Sequence, residues 1–406
     1  MEFKKKILDN GLTIIGEVNK SAKSAAVGFF VRTGSRDETA QISGVSHFLE
    51  HMLFKGTEKL DPLQVNQAFD KTGAQFNAFT SEENTVYYAA VLPEYLAEVT
   101  NLWIELMRPA LRDEDFNMEK NVIKEEIAMY KDMPHFDVLD KGRSLYFDNH
   151  PCGQSVLGSV ESIDALTAQQ MREYFNNRYA PNNMVLAFVG NFDWENVCAL
   201  AEKSCRSWQA QPVERKTQPF GGSKKTERIT KQNLACEHIC LVSPGVSMQD
   251  ERRFAASMLA AIIGDDNGSR FFWELVDNAL AETASMQCEA MDGTGAFYSY
   301  IRCTADNSEK VLGIVRSIFE NLYQKGVTEQ ELQKARNKIL SALVIKNELP
   351  MGRLVSLGFN WIYLQEYQAV NDDVQNIKSV TLDDVNNLIK QMNPGNFTKL
   401  SLTPAL

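Results

Sequence analysis

Apolar residues occur along the first half of the chain with two different periodicities. Short stretches rich in Val, Ile, Phe and Tyr, bounded by Gly, Asn or Ser, predict strands, whereas apolar residues three and four positions apart predict amphipathic helices. Strands and helices mixed in this way are typical of an α+β domain. The predicted strands are Leu12–Gly16, Ala25–Arg32, Gln75–Thr80, Asn84–Leu92 and Met184–Gly190. The predicted helices are Gly44–Lys55, Pro62–Thr72, Pro93–Met107, Asp113–Lys131 and Thr167–Tyr179, with a loop containing Pro134 and Pro151 after the fourth of them.

A polar segment near the middle of the chain divides this pattern. Between Trp208 and Lys231 the sequence contains prolines, a Gly-Gly pair and many charges, which is typical of a linker. Beyond it, strand-like and helical segments repeat the order of the first half, so the sequence predicts two α+β domains of similar size. We place the N-terminal domain at 1–211, the linker at 212–228 and the C-terminal domain at 229–406.

Composition and charge exclude several classes of protein. With 42 Lys and Arg against 53 Asp and Glu, the net charge is −11, which argues against nucleic acid and anionic membrane surfaces as partners. No apolar run reaches the roughly 18 residues of a spanning helix, and the N-terminus lacks a leader pattern. Seven cysteines without a CxxC motif indicate reduced thiols. These features predict a cytoplasmic protein without a membrane span.

The segment His47-Phe-Leu-Glu50-His51 is the strongest chemical signal in the chain. On the predicted helix, histidines four positions apart lie on one face, so both imidazoles can bind one metal ion. Glu50 lies beside that face and can contact a water at the metal as a general base. The pattern is the inverted form of the HExxH zinc helix. Catalytic zinc takes three protein ligands, so a third must come from elsewhere in the chain.

The candidate for the third ligand lies on the predicted helix Asp113–Lys131. Glu119 and Glu126 are seven positions apart, close to two full turns, so they share a helix face, whereas Glu125 faces elsewhere. We predict that Glu126 is the ligand and that Glu119 orients a histidine or the water at the metal. Nitrogen and oxygen ligands of this kind also accept manganese or cobalt.

Other interpretations of these histidines remain open at this point. The HxxEH pentapeptide also occurs by chance, as a surface cluster that binds no metal. A second group, Cys236, His238 and Cys240, alternates along a predicted strand and therefore shares one face. A half-buried strand explains that group better than a second metal site does.

Several segments together resemble the pitrilysin-type inverzincin metallopeptidases. The resemblance is to the short two-domain branch that includes mitochondrial processing peptidase and its bacterial relatives. It covers the first half throughout and the second half weakly. The separation of His51 and Glu126, with 74 residues between them, is close to that of the family. The segments are ILDNGLTII, GFFVRTGSRDE, GVSHFLEHMLFKGT, GAQFNAFTSEENTVYYA, EKNVIKEEI, HPCGQSVLGSVESI and YAPNNMVLAFVGNFD.

The resemblance implies a fold and a mode of substrate binding. Each half is expected to form a mostly antiparallel sheet flanked by helices, and the two homologous halves to close like a clam around a chamber. An extended peptide is expected to add as a strand beside Asn77, Ala78, Phe79 and Thr80. The alternative for this segment is a plain edge strand.

The second half departs from the family pattern at one place. Active members carry an Arg and a Tyr seven positions apart, which hold the substrate and its tetrahedral intermediate. Leu275 and Glu282 occupy the matching positions here. Tyr298, Tyr300 and Arg302 are alternative donors. In two-chain members, one chain carries the zinc motif and another chain completes the site.

The resemblance therefore implies a zinc-dependent endopeptidase that acts on extended or unfolded peptides. One zinc per chain is expected at His47, His51 and Glu126, with Glu50 as general base on zinc-bound water. The alternative is a weakly active or non-catalytic subunit of a two-chain peptidase or a larger assembly. The expected partners are a peptide substrate and a second chain of the same fold, as a homodimer or a heterodimer. A zinc hydrolase of non-peptide substrates has no support beyond the motif.

Overall fold

A computed structural model describes residues 2–215 and 217–405 of the chain. It confirms the predicted α+β class: the chain contains both helices and strands, and the strands form two separate, mostly antiparallel sheets. The first sheet has the order β1-β2-β6-β3-β5-β4, and its neighbouring strands are antiparallel except for the parallel pair β2 and β6. Its strands are β1 (Glu2–Ile7), β2 (Thr13–Val18), β3 (Ala25–Val31), β4 (Gln75–Thr80), β5 (Thr85–Val91) and β6 (Met184–Gly190).

The second sheet repeats this arrangement with one strand fewer among the described residues. Its order is β7-β11-β8-β10-β9, and only β7 and β11 pair in parallel. Both sheets are therefore mostly antiparallel, as the family resemblance implies. The strands are β7 (Thr226–Lys231), β8 (Glu237–Pro244), β9 (Thr283–Ala290), β10 (Gly295–Cys303) and β11 (Thr398–Pro404).

The helices of the described residues pack on the faces of these sheets. Many begin at a side-chain cap, as Asp61 and Thr167 do for the second and seventh helices, so local sequence determines where they start. In chain order they are α1 (Val45–Leu53), α2 (Pro62–Thr72), α3 (Leu96–Leu106), α4 (Asp113–Asp132), α5 (Pro134–Phe147), α6 (Val160–Ala165), α7 (Ala168–Arg178), α8 (Trp194–Cys205), α9 (Arg253–Gly264), α10 (Ser308–Lys325), α11 (Glu329–Glu348), α12 (Pro350–Leu364), α13 (Val370–Ser379) and α14 (Leu382–Met392).

The chain forms two compact units, and each is assembled from three segments. The first contains the described residues of Met1–Ile127, Gln154–Lys216 and Val344–Gln368. The second contains those of Ala128–Gly153, Thr217–Leu343 and Ala369–Leu406. The boundaries of these units differ from the predicted domains, which were two continuous segments joined by the linker 212–228. The reason is that each unit includes a helix from the other half of the chain.

Burial on both faces of the first sheet explains why its unit needs a distant helix. Every residue of β3 is buried, and successive side chains of a strand point to opposite faces. Phe29 packs into the main core under α1 and α3, whereas Phe30 lies in a second cluster with Leu354, Leu357 and Trp361 of α12. The α12 helix thus covers the face of the sheet that the N-terminal helices leave open.

The second sheet is covered in the same way by α5, a helix that the sequence analysis did not predict. The loop expected around Pro134 and Pro151 is wrong for the first of these prolines. Pro134 occupies the first turn of α5, where its missing N–H costs nothing. Gly142, which reads as a helix breaker, lets the helix approach the sheet, because a Cβ there would lie 2.5 Å from Cys240 Sγ.

The predicted linker is also more ordered than its composition indicates. β7 begins at Thr226, inside the segment 212–228, and Arg215 is buried with its guanidinium bound to Asp37. The helix α8, which follows β6, was likewise absent from the predicted elements. No helix of the described residues is both long and apolar enough to cross a membrane.

Candidate metal centre

The helix α1 carries His47, Glu50 and His51, and its apolar residues determine how it is oriented. Val45, Phe48, Leu49, Met52 and Leu53 are buried in the core of the first unit. Burying one large apolar side chain contributes about 1.5–3 kcal/mol, so this face anchors the helix. The three polar residues of the motif lie along the opposite side.

The N-terminus of α1 is held by Glu38, a residue eight positions before the helix's second residue. The Gly44 N–H donates to Glu38 Oε2 and the Ser46 N–H donates to Oε1, both at 2.7 Å. Gly44 adopts a φ of 92°, which favours glycine. The buried carboxylate thus satisfies two backbone donors that a helix start leaves open.

The helix α4 supplies the carboxylates, and an aromatic pair holds it against α1. Phe48 of α1 and Phe116 of α4 stack with ring centres 4.7 Å apart and an interplanar angle of 8°. Ile123 and Ile127 of α4 are also buried. These contacts fix the position of α4 along α1, and the side chains of Glu119 and Glu126 therefore face α1.

The structure brings His47, His51 and Glu126 together. One potential ligand atom from each lies within 4.8 Å of the other two. Glu126 Oε2 is 3.4 Å from His51 Nε2 and 3.8 Å from His47 Nε2. Among the described residues, no other group of three His, Cys, Asp or Glu side chains forms such a cluster.

Glu119 lies behind His51, away from the cluster. His51 Nδ1 is 2.9 Å from Glu119 Oε1, and Lys55 Nζ is 2.5 Å from Glu119 Oε2. Burial raises the pKa of Glu119, but the contacts with His51 and Lys55 outweigh it and leave the pKa below its usual value. An ionised carboxylate only accepts hydrogen bonds, so Nδ1 of His51 carries a proton, and in the neutral ring Nε2 keeps its lone pair for the cluster.

Glu50 lies beside the cluster and receives a hydrogen bond from β4. The Thr80 hydroxyl donates to Glu50 Oε2 at 2.6 Å. Burial raises the pKa of Glu50; the Thr80 hydrogen bond and the charge of His51 lower it, and the charge of Glu126 raises it, for a net increase. A carboxyl whose pKa is raised towards neutral pH is suited to accept and return a proton.

The protonation of His47 fits a metal ligand, and the carboxylates around His51 favour a positive charge at the cluster, which a metal cation can supply. Burial, with a smaller effect from His51, lowers the pKa of His47 to about 3, so its imidazole is neutral. Burial also lowers the pKa of His51, but Glu119, Glu126 and Glu50 raise it above its usual value. The His47 Nδ1 is buried and has no hydrogen-bond partner among the described residues. Two imidazoles and a carboxylate are the ligand types that zinc accepts in catalytic sites.

The remaining predicted residues lie as follows. Asn77, Ala78, Phe79 and Thr80 form most of β4, which is one of the two edge strands of the first sheet. Glu125 is exposed, as its position on the helix predicts. His238 lies in β8 with its Nδ1 2.8 Å from the Tyr300 hydroxyl, away from any metal cluster of the described residues.

Three contacts of the centre were missed by the sequence analysis. Lys55 follows His51 by four positions within the predicted helix Gly44–Lys55, so helical spacing could have placed both on one face, although α1 itself ends at Leu53. Glu38 lies seven positions before the first residue of α1, outside the range of a local capping signal, so the sequence did not indicate its contact with the helix start. No sequence signal pairs Thr80 with Glu50, because they lie 30 positions apart and meet only through the packing of β4 beside α1.

The chain is similar over nearly its whole length to bacterial proteins named as proteases. An uncharacterized zinc protease of Streptomyces coelicolor is 33% identical over 391 residues, which cover 93% of this chain and 84% of that protein. The uncharacterized zinc protease YmxG of Bacillus subtilis is 29% identical over 409 residues, with 99% and 98% covered. A crystal structure of a protease from Helicobacter pylori has the same fold, with a TM-score of 0.90 and 22% identity over 99% of this chain and 100% of that one.

Two family models account for most of the sequence. Residues 165–339 match the model described as Peptidase M16 inactive domain. Residues 13–160, which contain the HxxEH motif and Glu126, match the model described as Insulinase (Peptidase family M16). With these matches, and with a relative of 33% identity, the chain belongs to peptidase family M16.

Proposed function

We propose that this protein is a zinc-dependent endopeptidase that hydrolyses extended or unfolded peptides. The observation that carries the proposal is the cluster of His47, His51 and Glu126 with Glu50 beside it. We assign one zinc per chain to the three ligands and the base role to Glu50. The zinc protease names of the relatives support the same activity.

The residues of the chain divide the chemistry among them. Zinc, when bound, lowers the pKa of a water molecule and polarises a carbonyl group. Glu50 accepts the proton of the attacking water and returns it to the leaving amine. Thr80 orients Glu50 by donating to Oε2, which leaves Oε1 for the water. Glu119 fixes the His51 ring so that Nε2 points into the cluster.

The proposed substrate site is the edge of β4. In the first sheet β4 pairs with β5 on one side only, so its other edge offers backbone N–H and C=O groups to an added strand. Thr80 belongs to this strand and also contacts Glu50. A peptide lying along β4 would reach the base in an extended conformation. Backbone pairing would tolerate many side chains but requires an extended chain with free N–H and C=O groups. The site would therefore select unfolded segments.

The experiment combines zinc analysis with cleavage of an unstructured peptide. We expect about one zinc per wild-type chain and little in His51→Ala. Glu50→Gln should retain the zinc and lose peptidase activity by at least roughly 10²-fold, the usual scale for a general acid–base group. The matched control is Glu125→Gln, which changes the exposed acid next to Glu126 in α4. It should retain the zinc content and the peptidase activity of the wild type. Equal zinc in wild type and His51→Ala, or full activity in Glu50→Gln, contradicts the assignment.

A second candidate is a subunit that is weakly active alone and completed by another chain of the same fold. Leu275 is fully buried and offers no donor, and Glu282 binds the Arg302 guanidinium and the Cys236 thiol. Neither side chain replaces the Arg and Tyr that the family resemblance leads us to expect at these positions. Loss of one oxyanion donor costs about 10²–10³ in rate.

The specificity constant of the purified chain separates the two candidates. For a subunit that needs a partner, kcat/KM on an unstructured peptide library falls below the ordinary range of roughly 10⁴–10⁸ M⁻¹s⁻¹. Addition of a same-fold chain that carries the Arg and Tyr should then restore it. A value within the ordinary range for the chain alone contradicts the subunit assignment and leaves the zinc assignment intact.

A further inference from the structure

A cavity of about 490 Å³ lies in the first unit beside α3 and α8. Its walls combine apolar surface from Ile104 and Trp208 with polar side chains from Asn101 and Ser204, and Arg108 also lines it. Small-molecule sites have roughly 300–1,000 Å³ and this mixture of apolar walls and a few polar groups. The size and lining of the cavity therefore fit a small organic ligand.

Arg108 is the unusual group in this cavity. Its guanidinium carbon lies 3.7 Å from the centre of the Trp208 ring, and Nη1 donates to the Met107 carbonyl oxygen at 2.5 Å. No carboxylate of the described residues forms an ion pair with it. Burial lowers the pKa of Arg108 to about 10, and the neighbouring Cys205 is a buried thiol whose own pKa burial raises to about 12. A half-buried cation thus lacks a compensating negative charge.

The acidic residues of the cavity do not supply that charge. Glu105 accepts a hydrogen bond from the Thr57 hydroxyl at 3.1 Å and lies 3.7 Å from Lys59 Nζ. Glu58 is exposed at the rim. Only Cys205 raises the pKa of Arg108, so neither carboxylate acts on the guanidinium at close range. The interior of the cavity therefore favours an anion.

We propose that this cavity binds a small organic anion whose phosphate or carboxylate group pairs with Arg108. The guanidinium is stacked on Trp208, so its remaining N–H groups are held in one orientation, and such a fork binds both oxyanions through two parallel hydrogen bonds. The Ser204 hydroxyl and the Asn101 amide line the same cavity and can donate to the rest of the ligand. The site uses none of the residues assigned to zinc or to the peptide.

The proposal is tested by titrating the zinc-loaded full chain with inorganic phosphate, AMP and citrate against sodium chloride of equal ionic strength. Calorimetry should show saturable binding of at least one anion at millimolar or lower concentration. Tryptophan fluorescence, to which Trp208 contributes together with four other tryptophans, should change with the same concentration dependence. Arg108→Gln should weaken it by roughly 10- to 100-fold, the range for a charge-assisted hydrogen bond. Comparing phosphate and AMP with citrate distinguishes the two oxyanions.

Three further variants keep the result decisive. Ser204→Leu fills the cavity without removing charge and should also weaken binding. Arg206→Gln removes an exposed charge two positions from Trp208 and should leave binding unchanged. His51→Ala should bind the anion as wild type, because the zinc is not involved. Absence of binding up to about 10 mM, equal loss in Arg206→Gln, wild-type binding in both cavity variants, or loss in His51→Ala would each overturn the proposal.

Discussion

At the scale of single residues, Glu38 shows that the metal centre depends on a side chain outside the ligand set. Its two carboxylate oxygens accept the first backbone N–H groups of α1, and the hydroxyl of Tyr174 binds Ser46 on the same turn. Burial raises the pKa of Glu38 to about 7, against the two backbone hydrogen bonds that lower it. The position of His47, one residue beyond this cap, is therefore linked to a titratable group.

The stability of the protein should depend on pH through Glu38. Between the unfolded pKa of 4.5 and the folded value of about 7, the native chain keeps a proton that the unfolded chain releases. The free energy of unfolding therefore falls as pH rises through this window, by up to about 3 kcal/mol. Urea unfolding of the zinc-free wild type and of Glu38→Gln at pH 5 and pH 7.5 measures this decrease in the free energy of unfolding. The variant should be less stable overall but should lack this pH-dependent loss. Parallel profiles for the two proteins would contradict the assignment.

At the scale of elements, the centre is a contact between two helices. Neither α1 nor α4 holds a complete ligand set, since the histidines lie on one and Glu126 on the other. The stacked Phe48 and Phe116 rings set the separation of the helices, and the Lys55–Glu119 pair adds a polar contact beside them. Apolar packing thus determines the distance between metal ligands that are far apart in sequence.

Truncating the stack should reduce both stability and zinc affinity. Phe116→Ala removes a buried ring, which typically costs about 3–5 kcal/mol. We also expect zinc affinity to fall at least roughly 10-fold, comparable with the loss of a group that orients a ligand. Met118→Ala, on the same helix and 65% exposed, is the control and should change neither quantity. Competition with a zinc chelator measures the affinity, and an unchanged affinity in folded Phe116→Ala would show that the stack does not position Glu126.

At the scale of the whole molecule, each compact unit depends on both halves of the sequence. The segment Val344–Gln368 belongs to the first unit, and its Arg353 forms a buried ion pair with Glu17 of β2 through Nε at 2.8 Å and Nη2 at 2.6 Å. The Tyr367 hydroxyl donates to the same carboxylate oxygen. Apolar contacts of α12 with the sheet surround this pair.

A fragment of residues 1–211 should therefore not fold as an independent domain. Without α12 it exposes the sheet face that carries Ile15, Phe30 and Val189, and Glu17 on the same face loses the guanidinium of Arg353. We expect dye binding to exposed apolar surface and loss of cooperative unfolding. Joining residues 344–368 to the fragment through a flexible linker should restore cooperativity. A cooperative transition in the fragment alone would contradict the role of α12.

Local sequence determined the elements and the reactive groups of this protein. The strand Gln75–Thr80 and the helix Pro62–Thr72 agree with β4 and α2 to the residue, because period and capping are encoded within a few positions. The face shared by His47 and His51, and the face shared by Glu119 and Glu126, follow from helical geometry alone. The HxxEH pattern and its separation from Glu126 also indicated the family before any fold was known.

Tertiary structure decided what lies against these elements. α5 was read as a loop because its proline and glycine count as breakers locally. Pro134 fits the first turn of the helix, and the absence of a side chain at Gly142 lets the helix pack on Cys240 of the second sheet. The first unit includes α12 from the second half of the chain, and the second unit includes α5 from the first half. These arrangements, like the hydrogen bond from Thr80 to Glu50, join residues far apart in the chain. Such contacts depend on which apolar faces remain uncovered after local folding, and that is a property of the assembled core and not of any short segment.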